Sequence, residues 1–222
     1  MKLKQHVLFA LAAFSAAGVV YAQENMAGGP ATDSSAGGVI GQRYADLNFG
    51  LQHIKHVSDN AYGIGAAMNV PVESYMDATV GYGYSWINST LDERAHVASF
   101  TDTIYTTLAG GAKPFLSAGV GYEWDRISGP NFKTDTAEFG LWGLDVGIEV
   151  PTAVQGLSVT PAISYLDDFR KSRNSAQARD YGVEANYWVD AKWSVYGNIS
   201  YQDVLHSGAD SWNYTAGIRI KF

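Results

Sequence analysis

Apolar and polar residues take turns along most of this chain. In the last eleven positions Trp212, Tyr214, Ala216, Ile218, Ile220 and Phe222 share one parity, and Asn213, Thr215, Gly217, Arg219 and Lys221 share the other. Successive side chains of a strand point to opposite faces, so this is a strand with one apolar side. Upstream the pattern recurs. Residues 41–54 set Ala45, Leu47, Phe49 and Leu51 against Tyr44, Asp46, Asn48, Gly50 and Gln52; residues 60–72 set Tyr62, Ile64, Ala66, Met68, Val70 and Val72 against Gly63, Gly65, Ala67 and Asn69. Ala78, Val80, Tyr82, Tyr84 and Trp86 alternate with Asp77, Thr79, Gly81, Gly83 and Ser85. Further strands are predicted over 114–124, 142–150, 157–165, 181–189 and 193–201.

The least regular stretch is 94–109, where Asp102 shares a face with Ala98, Phe100 and Ile104. A carboxylate on an apolar face is costly, so either Asp102 turns inward or a bulge changes the face. With this strand the total is ten, and eight is the alternative if two hairpins are absorbed into loops. The connections alternate between tight ones near Pro71, Pro114 and Pro151 and longer polar ones, including 126–135, 167–178 and 203–210. An apolar face on every strand suits an all-β fold closed on itself in lipid, an antiparallel transmembrane β-barrel with no open edge. Short turns then face the periplasm and long loops the outside, with the N- and C-termini periplasmic.

The N-terminus departs from this pattern. Lys2 and Lys4 precede an apolar run over 7–20 that closes on Val20-Tyr21-Ala22, the form of a secretory signal peptide spanning 1–22. As a membrane anchor the run is short and is broken by Ser15 and Gly18. Residues 23–40, rich in Gly, Ser and Ala, read as a flexible periplasmic leader, and 41–222 as the barrel domain. Removing 1–22 takes away two lysines and no acid, moving the formal charge from −7 to −9, which disfavours a nucleic-acid partner. The chain has no cysteine, so disulfides and thiolate chemistry are excluded and closure must rest on backbone hydrogen bonds. Fourteen Tyr and six Trp supply the girdles that such barrels place at the two membrane interfaces.

Lys113-Pro114-Phe115 followed by Ala118-Gly119-Val120-Gly121-Tyr122 resembles the middle of the small bacterial outer-membrane β-barrel family, with its OmpA/OmpX-like and porin-like domains. The ending on Phe222 resembles that family's C-terminal strand. The resemblance implies a bacterial cell outer-membrane address and contact with outer-membrane lipid and lipopolysaccharide. It also implies recognition of the last strand by the barrel-assembly machinery. It specifies neither an activity, nor a cofactor, nor an oligomeric state, and the expected role is a structural or porin-like surface protein without catalysis.

Candidate chemistry is sparse. The inner parity collects Asp46, Asp77, Glu123, Asp145, Glu149, Glu184, Arg219 and Lys221. In a ten-stranded barrel, nearer the filled than the open size, these form an internal salt-bridge network; the alternative is the lining of a narrow channel for small polar solutes. Strand ten neighbours strand one on closure, which makes Asp46 the expected partner of Arg219. Inward glycines such as Gly147 and Gly217 leave space for Tyr44, Tyr196 and Arg219. Asp167-Asp168 with His206 and Asp210 could imitate a protease's acid and His–Asp pairs, and His206-Ser207 a lipid hydrolase, but both read better as solvated loop charge. His53 and His56 are too few for a metal site. The sequons at Asn88, Asn198 and Asn213 are chance matches. No catalytic, cofactor-binding or metal residue is therefore assigned.

Overall fold

The computed structural model describes residues 38–55, 60–88, 92–129, 132–170, 177–205 and 210–222. The expected signal peptide and most of the expected leader lie outside them, as do His56, His206 and Ser207. Ten strands follow in chain order: β1 (Tyr44–Ile54), β2 (Asn60–Glu73), β3 (Met76–Asn88), β4 (Asp92–Tyr105), β5 (Lys113–Gly129), β6 (Phe132–Pro151), β7 (Leu157–Asp168), β8 (Ala178–Trp188), β9 (Trp193–Val204) and β10 (Ser211–Lys221). Each pairs antiparallel with its chain neighbours, and β1 pairs with β10 from Tyr44 opposite Lys221 to Ile54 opposite Ser211. The barrel is closed with ten strands, and the eight-stranded alternative is discarded.

Strand parity sets the two faces. Leu47, Phe49, Ile64, Val80, Phe100, Leu116, Val120 and Val146 are each about half exposed on the outer wall. Asp46, Asp77, Thr79, Ser117, Glu149, Glu184 and Arg219 are buried in the lumen. This inverts the usual arrangement of a water-soluble protein, since an apolar surface this continuous is costly in water. Such an exterior belongs in lipid. Towards the long-loop end the apolar wall gives way to packed rings: Tyr62 stacks on Trp86 at 6.1 Å and His96 on Trp124 at 5.8 Å, while Tyr84 tilts against His96 at 4.8 Å.

The polar stretch 126–135 is largely strand rather than loop. β5 and β6 run to 17 and 20 residues and stay in register from Lys113 opposite Glu149 to Ile127 opposite Asp135. The inner parity continues with Asp125 and Ile127, whereas the outer parity turns polar at Arg126, Thr136 and Glu138. An outer face beyond the lipid has no reason to be apolar, so the signal of a lipid-facing strand ends before the strand does.

Asp102 meets neither expectation. It lies on the outer face between Phe100 and Ile104, and β4 pairs continuously with β3 and β5 on both sides of it, without a bulge. A one-residue slip would turn every other side chain of β4 to the wrong face, so a single acid cannot reset the register. Its cross-strand neighbours are Ala78 and Ala118. Three residues from the strand's end, it stands about 10 Å along the chain from the short turns. Asp102→Leu is expected to raise stability against urea by roughly 1 kcal/mol, because acids on a lipid face cost less than Arg or Lys at mid-depth. An unchanged or lower urea midpoint for the refolded variant would contradict this.

Both ends of the described chain lie at the end expected to carry the short turns, although the connections there run to 2, 7, 5 and 4 residues against 5, 3, 2, 9 and 6 at the other, so the expected contrast in length is absent. There Gly110 and Gly111 adopt φ of 89° and 83° in the β4–β5 connection. In the β8–β9 turn, the backbone N–H groups of Lys192 and Trp193 donate to the Asp190 carboxylate at 2.7 and 2.8 Å, which holds its pKa below the usual range. Gly38, Val39 and Ile40, the last residues of the leader, sit inside this mouth, with Val39 and Ile40 fully buried.

Candidate functional site

Among the described residues, the lumen is where the fold concentrates charge away from water. Arg219, on the inward parity of β10, is 2% exposed. Its Nε donates to Asp46 at 3.0 Å, its Nη1 and Nη2 donate to the two Glu184 oxygens at 2.7 and 2.8 Å, and Nη1 also donates to the Asn186 carbonyl oxygen at 3.1 Å. The guanidinium plane lies 3.8 Å from the Tyr196 ring centre, and Tyr44 faces it at 5.4 Å. Tyr196 Oη and Asn48 Nδ2 both donate to Asp46 Oδ1, at 3.0 and 2.9 Å. One cation thus satisfies two acids, and aromatic faces and amides complete the shell, the condition under which a buried ion pair is tolerated. The expected Arg219–Asp46 pair is present, and Glu184 is the additional partner.

Glycine makes the room. A Cβ on Gly217 would lie 2.5 Å from the Tyr196 ring and 2.7 Å from the Leu47 carbonyl oxygen; one on Gly147 would lie 2.6 Å from Phe115. Gly217→Ala therefore displaces Tyr196 from Arg219 and is expected to cost about 1–3 kcal/mol in urea unfolding, the usual range for overpacking. Gly197→Ala, whose Cβ would meet nothing nearer than 3.8 Å, serves as the control and should leave stability unchanged.

Beside this centre, a second polar cluster holds Asn69, which donates to Asp77 at 2.6 Å and accepts from Thr79 at 2.8 Å. On the long-loop side of Arg219 is a cavity of about 60 Å³, lined in part by Asp145, Ser164, Asp180, Asn198 and Ser200. It has room for a few waters but not for a sugar or nucleotide, which needs a few hundred Å³. Beyond it Gln52 donates to Ser211 at 2.8 Å and to Gln202 at 3.2 Å. Val97, Phe139, Leu141, Leu166, Ala178 and Val204 then pack across the lumen as an apolar layer. Arg170 lies over Phe139 at 4.2 Å. Beside that layer Glu93, Glu123 and Asp125 are buried on neighbouring β4 and β5.

Lys221, expected in the lumen, stands at its rim with Nζ 3.8 Å from the Trp188 ring. Of the imagined hydrolase sets, His206 and Ser207 lie outside the described residues, and only the acids can be placed. Asp168 pairs with Arg170 at 2.7 Å, Asp167 accepts from Gln177 at 3.0 Å, and Asp210 accepts from Tyr201 at 2.9 Å on the far side of β8 and β9. His53 contacts Asn60 at 2.9 Å on the exposed wall. Among the described residues no three His, Cys, Asp or Glu side chains are placed to hold a metal ion.

Some lumen residues escaped the sequence reading. Asp180 and Trp188 share the inward parity of Glu184 and Asn186 and could have been found by extending that strand both ways. Asp125 sits where β5 seemed already to have ended. Val39 and Ile40 carry no strand signal at all.

No protein-family model matches the chain, and no curated protein matches it. Among solved structures it is similar to Neisserial surface protein A, at 12% identity over 81% of this chain and 97% of that one, with a TM-score of 0.44. It is also similar to the N-terminal β-barrel domain of Pseudomonas aeruginosa OprF, at 10% identity over 82% and 98%, with a TM-score of 0.42. A third is the transport unit of the autotransporter AIDA-I from Escherichia coli, at 11% identity over the full length of both, with a TM-score of 0.48.

Proposed function

We propose that this chain is an integral outer-membrane β-barrel whose work is structural: it spans the bilayer with a closed lumen and displays the five connections opposite its termini at the cell surface, without catalysis. The observation that carries this reading is the buried Arg219 centre, which fills the lumen where a pore would need water. The apolar outer wall supports the membrane address. Even strand number puts both termini on one side, which in outer-membrane barrels is the periplasm. Outer-leaflet lipid and lipopolysaccharide would meet the ring girdle, and the assembly machinery would read β10 with Phe222, whose side chain is well exposed.

A planar-bilayer recording of the purified full chain tests the closed lumen. The expected result is no steady current above the bare bilayer, because two acids and an arginine locked together leave no hydrated path. Large ohmic steps would overturn the reading in favour of a narrow channel, whose lining would then be the same excess of lumen carboxylates.

A further inference from the structure

We infer that the short-turn mouth of the barrel is a binding site for a turning peptide backbone, occupied in cis by the chain's own Gly38-Val39-Ile40. The site is assembled from strands far from that segment in sequence. Glu149 on β6, fully buried, accepts the Val39 N–H at 2.5 Å and the Ile40 N–H at 3.2 Å. Lys113 on β5, directly opposite Glu149 in register, donates its ammonium to the Ile40 carbonyl oxygen. From β8 the Trp188 indole N–H donates to the Gly38 carbonyl oxygen at 3.0 Å. An acid and a base on paired strands therefore address the N–H and C=O of the same residue. Such a grip reads backbone rather than side-chain identity, and charge-assisted bonds of this kind are the strong ones.

Side-chain selection comes from what surrounds the grip. Val39 packs with Tyr44, Ala67 and Trp188, and Ile40 with Phe115, Ala162 and Tyr105. At Gly38 a Cβ would run into the Glu149 carboxylate. The ligand class is a short peptide with glycine followed by two aliphatic residues at the entry of a turn. A segment that only happened to pass the mouth would not bring three polar side chains from three strands onto its backbone while burying both aliphatic side chains. Because the occupant is tethered, its effective concentration at the mouth is in the range of about mM, so it outcompetes free peptide and works as a strap.

The chain has no native cysteine, so Val39→Cys gives the purified full-length barrel a single thiol to follow with a water-soluble maleimide. With the strap seated, labelling should be about 100-fold slower than at Ala191→Cys in an exposed turn, since the reagent must wait for local opening. Adding Glu149→Ala, or separately Trp188→Phe, which keeps the ring and removes the donor, should speed Val39→Cys labelling about tenfold or more. Retained heat-modifiable migration on gels shows that each variant barrel is still closed. In a second arm, Val39→Asp/Ile40→Asp vacates the site with Glu149, Lys113 and Trp188 intact. A fluorescent peptide with the sequence of residues 36–42 should then bind the variant saturably and the wild type at least about tenfold more weakly. Equal labelling rates at positions 39 and 191, no change with either latch variant, or equal peptide binding to both proteins would each overturn the inference. A closed lumen in the bilayer recording would stand unaffected by any of these failures, since the Arg219 centre lies deeper than the strap.

Discussion

Arg219→Ala should lower the barrel's stability by about 3–5 kcal/mol, the range for removing one partner of a buried, hydrogen-bonded charge pair. The loss has little to do with the missing contacts of arginine itself. It comes from Asp46 and Glu184, which are 1% and 5% exposed and would face each other across the lumen with no cation between them. Urea unfolding of the refolded protein in detergent reads the effect. The triple variant Arg219→Met, Asp46→Asn, Glu184→Gln should regain more than half of it, because neutral amides can share hydrogen bonds where two carboxylates cannot. A loss below about 1 kcal/mol for Arg219→Ala would mean that water already solvates this centre, against the filled lumen. The same variant should also admit leak currents that the wild type lacks.

Val146→Arg is expected to cost about 2–4 kcal/mol, the value for a cation on the lipid face near mid-depth. Val146 is among the most exposed apolar residues of the outer wall, and its cross-strand neighbours Leu116 and Ile163 are exposed apolar residues as well. In water an arginine there would be harmless; only lipid makes it expensive. Ala191→Arg, on an exposed turn, is the control and should change stability by less than about 0.5 kcal/mol. Equal urea midpoints for the two variants in lipid vesicles would show that the apolar wall does not face the bilayer.

How much of this was legible in sequence follows from what each feature depends on. Period-two alternation is local, so it located ten strands, with eight left open, and their faces apart from the fourth strand around Asp102, down to Thr79 inward and Val80 outward. Closure brought the last strand beside the first, and from there the pairing of Arg219 with Asp46 could be anticipated, because parity fixes the face and chain order fixes the neighbour. Strand ends were harder. Where β5 and β6 rise past the lipid, Arg126 and Thr136 look like loop residues, although the backbone ladder continues beneath them.

What the sequence determined by itself is therefore the pleat: outside the stretch around Asp102, which residues lie on the apolar wall and which face the lumen, and that such strands need one another to hide their edges. Tertiary structure alone decided three further things. It decided that Glu184, three strands around the barrel from Asp46, shares the same arginine, which depends on the stagger of the closed sheet. It decided that Asp102 stays outside, because the register of a long ladder outweighs the preference of one side chain. It also decided that Gly38, Val39 and Ile40, unremarkable in a Gly-rich stretch, become buried, since the groups that hold them lie on β5, β6 and β8 and meet only when the barrel closes.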